Sequence, residues 1–471
     1  MNELNKTMCM NLCSVGFCLL LVACSSSDTA QDIVYDTQEH AFPNFSRHQF
    51  EVFSDDGAQT NAWGDYDSDG DLDLYVGFTS DPTTHNKLYE NQNNGEYFRD
   101  VSDSQGMNRS GTTRQPSFID YDGDGDLDLF VAFRDQPNRL YRNDLQAFVD
   151  VTDISGIGDS RRTVGAAWFD ADGDGDLDLF TANQNGDEDG FYLNLGNGSF
   201  EDVGADLGIN QPGRTATQGS VGVAVGDYDN DGDLDLYVAS YGPDLIWENQ
   251  NDTLGFIKIS SGEGFDGDHH SVAATFADYD NDGWLDLYVG TFISTIAEEP
   301  DYLFKNVHGD FHIVTPSLLL EKGTSHGIAW ADYDGDGDVD LAVANNHAEG
   351  THTLYRNELG PEKARKSLQL AILDNQGRWT RAGATVTLSA STWNHSMEGQ
   401  PSYVSSRVVD TGGGYSSQGA TPVHFGIPSG IELVDLTIRW YENGMNIQTV
   451  SNLDHSLYAD RIFEIRLHPT P

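Results

Sequence analysis

Cysteine is absent from nearly the whole chain. All four, Cys9, Cys13, Cys18 and Cys24, fall within the first 24 of its 471 residues. No disulfide can cross-link the remaining residues, so another device must supply the stiffness that bridges often give outside the cell. Basic residues are scarce too: 25 Lys and Arg stand against 76 Asp and Glu, for a formal charge of -51. There is no basic stripe to displace counterions from phosphates, which excludes nucleic acid as a partner. The apolar run near the N-terminus, Val15 to Leu21, is too short to span a bilayer. A phosphate-binding loop is missing, and past residue 24 so is any cysteine nucleophile. The chain is nonetheless not a disordered acidic one, because 38% of its residues are hydrophobic and 11% aromatic. At this length there is room for two or three domains and a large core.

The acid is concentrated in one motif. Asp120-Tyr121-Asp122-Gly123-Asp124-Gly125-Asp126-Leu127-Asp128 puts Asp at positions 1, 3, 5, 7 and 9 and Gly at 6, and the apolar run Leu129-Phe130-Val131 follows at once. So much like charge repels itself open unless a divalent cation gathers the oxygens. The layout is close to an EF-hand loop, where side chains at 1, 3 and 5 and a main-chain oxygen at 7 hold calcium and Gly at 6 permits the sharp turn. No Glu stands at position 12. Asp128 at position 9 closes the shell instead, and the chain leaves as a strand, not a helix. Ca2+ is therefore the expected ion.

Five further copies start at Asp65, Asp170, Asp227, Asp278 and Asp332, so successive starts are 55, 50, 57, 51 and 54 residues apart, which is the spacing of a repeat architecture. The expected ligands, about six sites in all, are Asp65, Asp67, Asp69, Asp71 and Asp73 in the first loop, then Asp120, Asp122, Asp124, Asp126 and Asp128 in the second. Asp170, Asp172, Asp174, Asp176 and Asp178 form the third, and Asp227, Asp229, Asp231, Asp233 and Asp235 the fourth. The fifth has Asp278, Asp280, Asp282, Trp284 and Asp286, and the sixth Asp332, Asp334, Asp336, Asp338 and Asp340. Trp284 is tolerable at position 7 because that ligand is a main-chain oxygen. Plain Asp-Gly hairpin turns are the bland alternative, but six copies with four invariant carboxylates exceed what a turn needs. All six ions are expected to be structural. The loops hold 29 of the 76 acidic residues, and six calcium ions would still leave the chain strongly acidic.

Residues 1–24 form a targeting segment, with Lys6 ahead of the apolar run and Leu21-Val22-Ala23-Cys24 after it. This resembles a bacterial lipoprotein signal, which implies cleavage before Cys24 and lipidation of its thiol. The alternative is an uncleaved hydrophobic N-terminus. Ser25 next to the lipidated residue resembles the outer-membrane sorting signal of Gram-negative lipoproteins, so the expected location is the bacterial cell envelope. Residues 25–45, rich in Ser, Asp and Gln, read as a flexible tether.

Around each loop lie four strand-like pieces in about 50 residues, which is one β-propeller blade. In the second unit they are Arg114 to Ile119, Leu127 to Phe133, Asn138 to Asn143 and Phe148 to Thr152. The third piece ends in Asn each time, at Asn91, Asn143, Asn194, Asn249, Asn306 and Asn357, where the side chain is expected to close a turn. The fourth carries Phe98, Phe148, Phe200, Phe256 and Phe311, but the sixth unit lacks it. Arg47 to Phe53, upstream of the first loop, fits as the strand that completes the last blade and closes the ring. Six blades over residues 46–360 are favoured, with a seventh built from flanking sequence as the alternative.

The loop together with Leu140-Tyr141-Arg142-Asn143 and Phe148-Val149-Asp150-Val151-Thr152 resembles the FG-GAP/VCBS repeat, a calcium-loop propeller unit of integrin α-subunits and bacterial surface proteins. From Lys366 the Asp loops stop and alternation takes over, as in Leu368 to Leu373, Gly383 to Leu388 and Leu433 to Trp440. Residues 366–471 thus read as a small antiparallel β-sandwich or barrel. Gly383-Ala384 and the order of strands resemble the ASPIC/UnbV domain that follows such propellers in cartilage acidic protein and its bacterial relatives. That family tends to have Trp-Pro-Ser-Gly where this chain has Trp440-Tyr441-Glu442-Asn443-Gly444.

The chain is expected to be all-β, and its function is open between two classes. One is a lipid-anchored propeller whose loop face binds a protein or glycan outside the cytoplasm, meeting the membrane only through its anchor. The other is a polysaccharide-active enzyme, or its accessory subunit, working at the central funnel. Its candidate groups are His269, His270, His326, His347 and His352, all close to loops, though His347 and His352 match no closed zinc spacing. Trp247 and Trp284 are candidates for stacking on sugar rings, with burial between blades as the other reading.

Overall fold

The strands leading into the loops of the third, fourth and fifth units are rich in small and β-branched residues, and each strand leaving a loop runs on from the position-9 Asp into apolar β-formers, so both favour extended backbone. A computed structural model describes residues 52–469 apart from 79–83, 93–95, 145–146, 251–253, 260–264, 266, 268, 293–299, 320–324, 346–352, 391–402, 412–414, 416, 419–421 and 460. In it the units form six antiparallel sheets whose strands lie in chain order. Blade 1 has Ala58–Gly64, Asp73–Phe78, Lys87–Gln92 and Tyr97–Asp100. Blade 2 has Thr113–Ile119, Asp128–Phe133, Arg139–Asn143 and Phe148–Asp150, and blade 3 Thr163–Phe169, Asp178–Asn183, Gly190–Asn194 and Phe200–Asp202. Blade 4 runs Gly219–Gly226, Asp235–Tyr241, Leu245–Asn249 and Phe256–Ile259; blade 5, Ser271–Ala277, Asp286–Thr291, Tyr302–Val307 and Asp310–Ile313. Blade 6 has, among the described residues, three strands, Ser325–Ala331, Asp340–Asn345 and Thr353–Tyr355.

The first strands of successive blades touch one another and line the axis. Those of blades 2 and 3 are buried at every position, whereas those of blades 1 and 6 are partly exposed. Residues 47–51 of the expected closing strand lie outside the described residues. Its described end adjoins blade 1: the Tyr89 hydroxyl donates to the Val52 carbonyl at 3.2 Å, and the Phe53 ring lies 4.8 Å from Tyr89.

Two sets of side chains staple blade to blade. On the loop side, the third-strand Asn does more than close a turn. Its Nδ2 donates to the position-8 carbonyl of its own loop and also to the position-2 carbonyl of the preceding loop, from Asn143 to Tyr66, Asn194 to Tyr121, Asn249 to Ala171, Asn306 to Tyr228 and Asn357 to Tyr279. On the far side, Asn86, Asn138, Asp189, Asp244 and Asp301 each accept a backbone N–H from the end of their own second strand. Each also bonds the Thr or Ser that opens the next blade: Thr113, Thr163, Ser220, Ser271 or Ser325. The fourth-strand Phe adds an apolar tie, with Phe148 5.5 Å from Tyr66 and Phe311 5.5 Å from Tyr228.

Asn194→Ala should lower stability by about 2–3 kcal/mol, because it leaves two carbonyls, those of Tyr121 and Leu177, without their donor. Asn197→Ala, which loses only bonds from Ser199 within an exposed turn, should stay within about 0.5 kcal/mol of the parent. Equal urea midpoints for the two variants would remove the staple.

The C-terminal region is a sandwich of two sheets. One holds Ser367–Leu373, Val423–Gly426 and Ile462–Arg466, the other Thr385–Ala390, Tyr403–Val408, Leu433–Tyr441 and Met445–Asp454. It is antiparallel except that the last strand, returning after a long excursion, joins Ser367–Leu373 in parallel. Leu368, Leu370, Val386, Leu388, Phe425, Leu436 and Ile438 fill the space between the sheets. Propeller and sandwich belong to one compact unit, Gln49–Pro471.

Candidate metal centres

The loops curl as they do because two positions sit in the left-handed region. Position 6 has φ of 102°, 100°, 97°, 105°, 95° and 99° at Gly70, Gly125, Gly175, Gly232, Gly283 and Gly337, which only glycine adopts at little cost. Position 4 is also left-handed, and there the chain uses Gly, Ser or Asn: Ser68 at 61°, Asn230 at 59° and Asn281 at 55°. The turn points backbone N–H groups inward, where carboxylates receive them. Position 1 accepts from position 4 or 6, as Asp120 does from Gly123 at 2.8 Å and Gly125 at 3.0 Å. Position 5 accepts from position 7 in the same way.

Position 9 is buried in every loop, with Asp73, Asp128, Asp178, Asp235, Asp286 and Asp340 at most 2% exposed. One of its oxygens accepts from the position-2 N–H, and the other from the N–H of the third-strand Asn. This Asp therefore ties loop, second strand and third strand together whether or not a metal is bound.

Carboxylate oxygens of positions 1, 3 and 9 in loops 1–3, and of 1, 3 and 5 in loops 4 and 5, lie within 4.8 Å of one another, and one further such group occurs. Several loop carboxylate oxygens have no donor: Asp65 Oδ1 at position 1, Asp122 Oδ1 at position 3, and Asp176 Oδ1 and Asp338 Oδ1 at position 7 are buried and unpartnered. Burial first, and crowding by neighbouring carboxylates after it, push Asp67 up to about 6, Asp170 to about 7 and Asp73 to about 9. Hard oxygens short of donors and crowded with charge fit calcium, which takes six to eight oxygen ligands. The position-7 side chains of Asp126, Asp176 and Asp338 are also buried.

The loops are not electrostatically alike. The residue before the third-strand Asn is Glu90 in blade 1 and Glu248 in blade 4, each accepting from the Tyr hydroxyl of its loop. In blade 6 it is Arg356, 2.7 Å from Asp334. In blade 5 it is Lys305, whose Nζ lies 2.5 Å from Asp280 Oδ1, 2.6 Å from Asp282 Oδ2 and 3.4 Å from Asp286 Oδ1. An ammonium thus stands among the fifth loop's carboxylates and competes with any ion there.

The loop face, expected to meet an outside partner, is covered by the C-terminal sandwich, which touches all six loops. Arg378 Nη1 donates to Ser68 O at 2.7 Å, and Asn443 N to Gly123 O at 2.6 Å. Met445 packs on Gly175, Ser406 N donates to Asp227 Oδ2 at 2.8 Å, the Tyr403 hydroxyl to Gly283 O at 2.7 Å, and Gln369 Nε2 to Asp332 Oδ2 at 2.5 Å. The Trp440-to-Gly444 turn, where the chain departs from the family pattern, is one of these contacts: the Tyr441 ring lies so close to Gly123 that a Cβ would come within 2.1 Å of it. The sandwich also enters the axis. Ser417–Gln418 pairs in parallel with Asn61–Ala62, Gln418 bonds both the N–H and the carbonyl of Phe118, and Thr411 donates to Trp168 O. Between sandwich and blades remains a cavity of about 570 Å³, lined in part by Trp63, Trp330, Arg407 and His424.

Among the described residues, the candidate histidines do not assemble into a catalytic or metal-binding cluster. His269 Nδ1 is 3.3 Å from the Tyr302 hydroxyl, His270 packs on Tyr241, and His326 stacks on Phe292 at 6.0 Å. Burial, with Arg114 beside it, pushes His326 down to about 4, leaving it a neutral imidazole and a weak base. His347 and His352 lie outside the described residues, as do Cys24 and the rest of residues 1–45. Trp247 is core at 3% exposure, and Trp284 is half-buried against His308. Sequence reasoning passes over one pattern, Gly323-Thr324-Ser325-His326-Gly327, which has the spacing of a nucleophile elbow. Ser325 instead opens a strand, buried, with its hydroxyl donating to Asp301, so it serves the far-side staple.

A family model described as FG-GAP-like repeat matches residues 65–131, 120–181, 170–238 and 227–289, and one described as ASPIC and UnbV matches residues 377–460. Cartilage acidic protein 1 of Mus musculus is 25% identical over 279 residues, covering 57% of this chain and 40% of that protein. The Homo sapiens protein of the same name is 25% identical over 279 residues, covering 57% of this chain and 39% of its own. The chain thus spans about two fifths of the length of these relatives. Among solved structures, an Agrocybe aegerita lectin described for recognition of non-reducing terminal N-acetylglucosamine is similar at a TM-score of 0.40 and 16% identity, over 64% of this chain and 81% of that one.

Proposed function

From the premise that this chain joins FG-GAP-like repeats to an ASPIC and UnbV domain and is homologous to cartilage acidic protein 1, we propose that it is a calcium-stiffened binding module working outside the cytoplasm. The observation that carries the calcium is the gathering of loop carboxylate oxygens within 4.8 Å in successive blades, beside loop oxygens that are buried without donors. The ions are structural: they gather strand ends and present no coordination site to a substrate, because the sandwich sits over the loops. The affinity is graded, weakest in the fifth loop where Lys305 stands among the carboxylates. Calcium is abundant outside the cell, and a body without cysteine has no disulfide to brace it. Attachment to the envelope is through lipid on Cys24. No helix among the described residues is long and apolar enough to cross a membrane.

The partner, a protein or glycan, meets the face away from the loops. Calcium-loaded protein lacking residues 1–24 is expected to be retained on a glycan array or by an envelope protein, to lose that binding in chelator, and to turn over nothing in a hydrolase and lyase panel. The polysaccharide-enzyme reading is favoured instead if turnover appears and His326→Ala abolishes it without unfolding the protein.

A further inference from the structure

At the end of the axis away from the loops, two guanidiniums stand near one another, and among the described residues neither pairs with a carboxylate. Arg114 is 9% exposed, its Nε has no partner, and its one side-chain bond is a 3.5 Å contact from Nη1 to the Tyr415 hydroxyl. Arg134 is half-buried, and among the described residues its guanidinium forms no hydrogen bond or ion pair. Burial first, and repulsion by Arg114 after it, hold Arg134 below its ordinary range. In a chain with 76 acids to 25 Lys and Arg, two neighbouring cations that pair with no acid among the described residues suit an external anion.

The surroundings are flat and fixed. Tyr241, His270, Phe292, His326 and Tyr415 form a linked set of rings, with centroids 5.0 to 6.2 Å apart from Tyr415 through His326, Phe292 and Tyr241 to His270. Behind them Val164, Val221 and Val272 make an apolar floor. Backbone register explains the convergence. Each of the first strands of blades 2 to 6 carries a register shift near its start, and Arg114, Val164, Val221, Val272 and His326 all fall at it, one per blade. Such bulges re-aim side chains, here towards the axis.

We infer that this mouth of the axis binds an acidic saccharide, one whose ring bears carboxylate or sulfate. Guanidiniums pair with either oxyanion through two parallel N–H bonds, and the rings offer faces for the C–H side of a sugar while Tyr and His tips bond its hydroxyls. Flexible acidic peptides supply the charge but nothing for the fixed rings to cover. The overall negative charge of the chain opposes approach only over the screened distance of about 8 Å at physiological salt, so the two local cations decide the outcome at contact. The inference rests on the binding-module reading and adds to it a face and a ligand class.

The test measures binding of oligogalacturonate, a sulfated oligosaccharide and their neutral counterparts to calcium-loaded protein lacking residues 1–24, by calorimetry. Acidic sugars should bind and neutral ones not, with the stronger of the uronate and sulfate arms naming the group. Arg134→Gln should weaken binding about tenfold or more, and Arg134→Lys by less, since a lone ammonium keeps charge but loses the paired geometry. Because Arg134 is half-buried at the surface, its variants are checked for unchanged melting. Acidic sugars that fail to bind while a neutral glycan, an acidic peptide or an envelope protein does overturn the inference and leave the module reading standing. Binding unaffected by Arg134→Gln overturns the site. Absence of any partner on array and envelope extract defeats the module reading itself.

Discussion

A chelator lowers the melting midpoint of this protein much further at pH 8 than at pH 5. The loop carboxylates have raised values in the fold, with Asp65 and Asp67 at about 6, Asp170, Asp229 and Asp278 at about 7 and Asp73 at about 9. Burial is the first cause in every case. An acid whose folded value exceeds its unfolded one contributes stability below about pH 4 and loses it as pH climbs through the folded value. Without metal, then, stability falls between about pH 5 and pH 9. Calcium should reverse the trend, because a cation favours the deprotonated loop. At a hundredfold excess over Kd each ion contributes about 2.7 kcal/mol, so several together are worth on the order of 10 kcal/mol, or about 10 °C for a unit of this size. Calorimetry with and without chelator at the two pH values reads this directly. Equal midpoints at pH 8 would show that the loops hold no ion of consequence.

Asp178→Ala should cost about 4 kcal/mol in calcium and most of that in chelator. Asp178 is fully buried, and its two oxygens accept from Ala171 N at 3.0 Å and Asn194 N at 2.9 Å, so removal leaves two buried N–H groups unpaired. Asp122→Ala is the counterpart. Asp122 Oδ1 has no donor, so its loss should remove one calcium from the titration and destabilise only the loaded protein. Urea unfolding of both variants, with and without chelator, separates the two roles. If Asp122→Ala leaves the calcium count unchanged, or if Asp178→Ala becomes harmless in chelator, positions 3 and 9 have been assigned the wrong work.

The repeat, the loop chemistry and the strand count are legible in the sequence because they are local: Asp at alternate positions and Gly at 6 state their reason within nine residues. The division of labour among the carboxylates is not. Sequence places Asp128 in the metal shell, but its backbone bonds to Tyr121 and Asn143 depend on where the third strand lies. The third-strand Asn looks like a turn former because its second partner is a carbonyl 73 to 78 residues away. Lys305 resembles any strand lysine until pairing sets it over the fifth loop. The sandwich lying on the loop face cannot be read from either domain alone, since Gln369, Ser406 and Asn443 carry no motif. Arg114 and Arg134 are likewise invisible, because it is strand pairing within blade 2, with Thr113 opposite Phe133, and the register shift at Arg114 that bring them together.

Gln418 grips both backbone groups of Phe118 from 300 residues downstream. A ribosome making this chain delivers Phe118 long before Gln418, and at about 5–20 residues per second the interval is on the order of 15 to 60 seconds. Throughout that interval the N–H and carbonyl of Phe118 lack the side chain that bonds them in the finished fold, so the centre of the propeller is completed only when its last domain arrives.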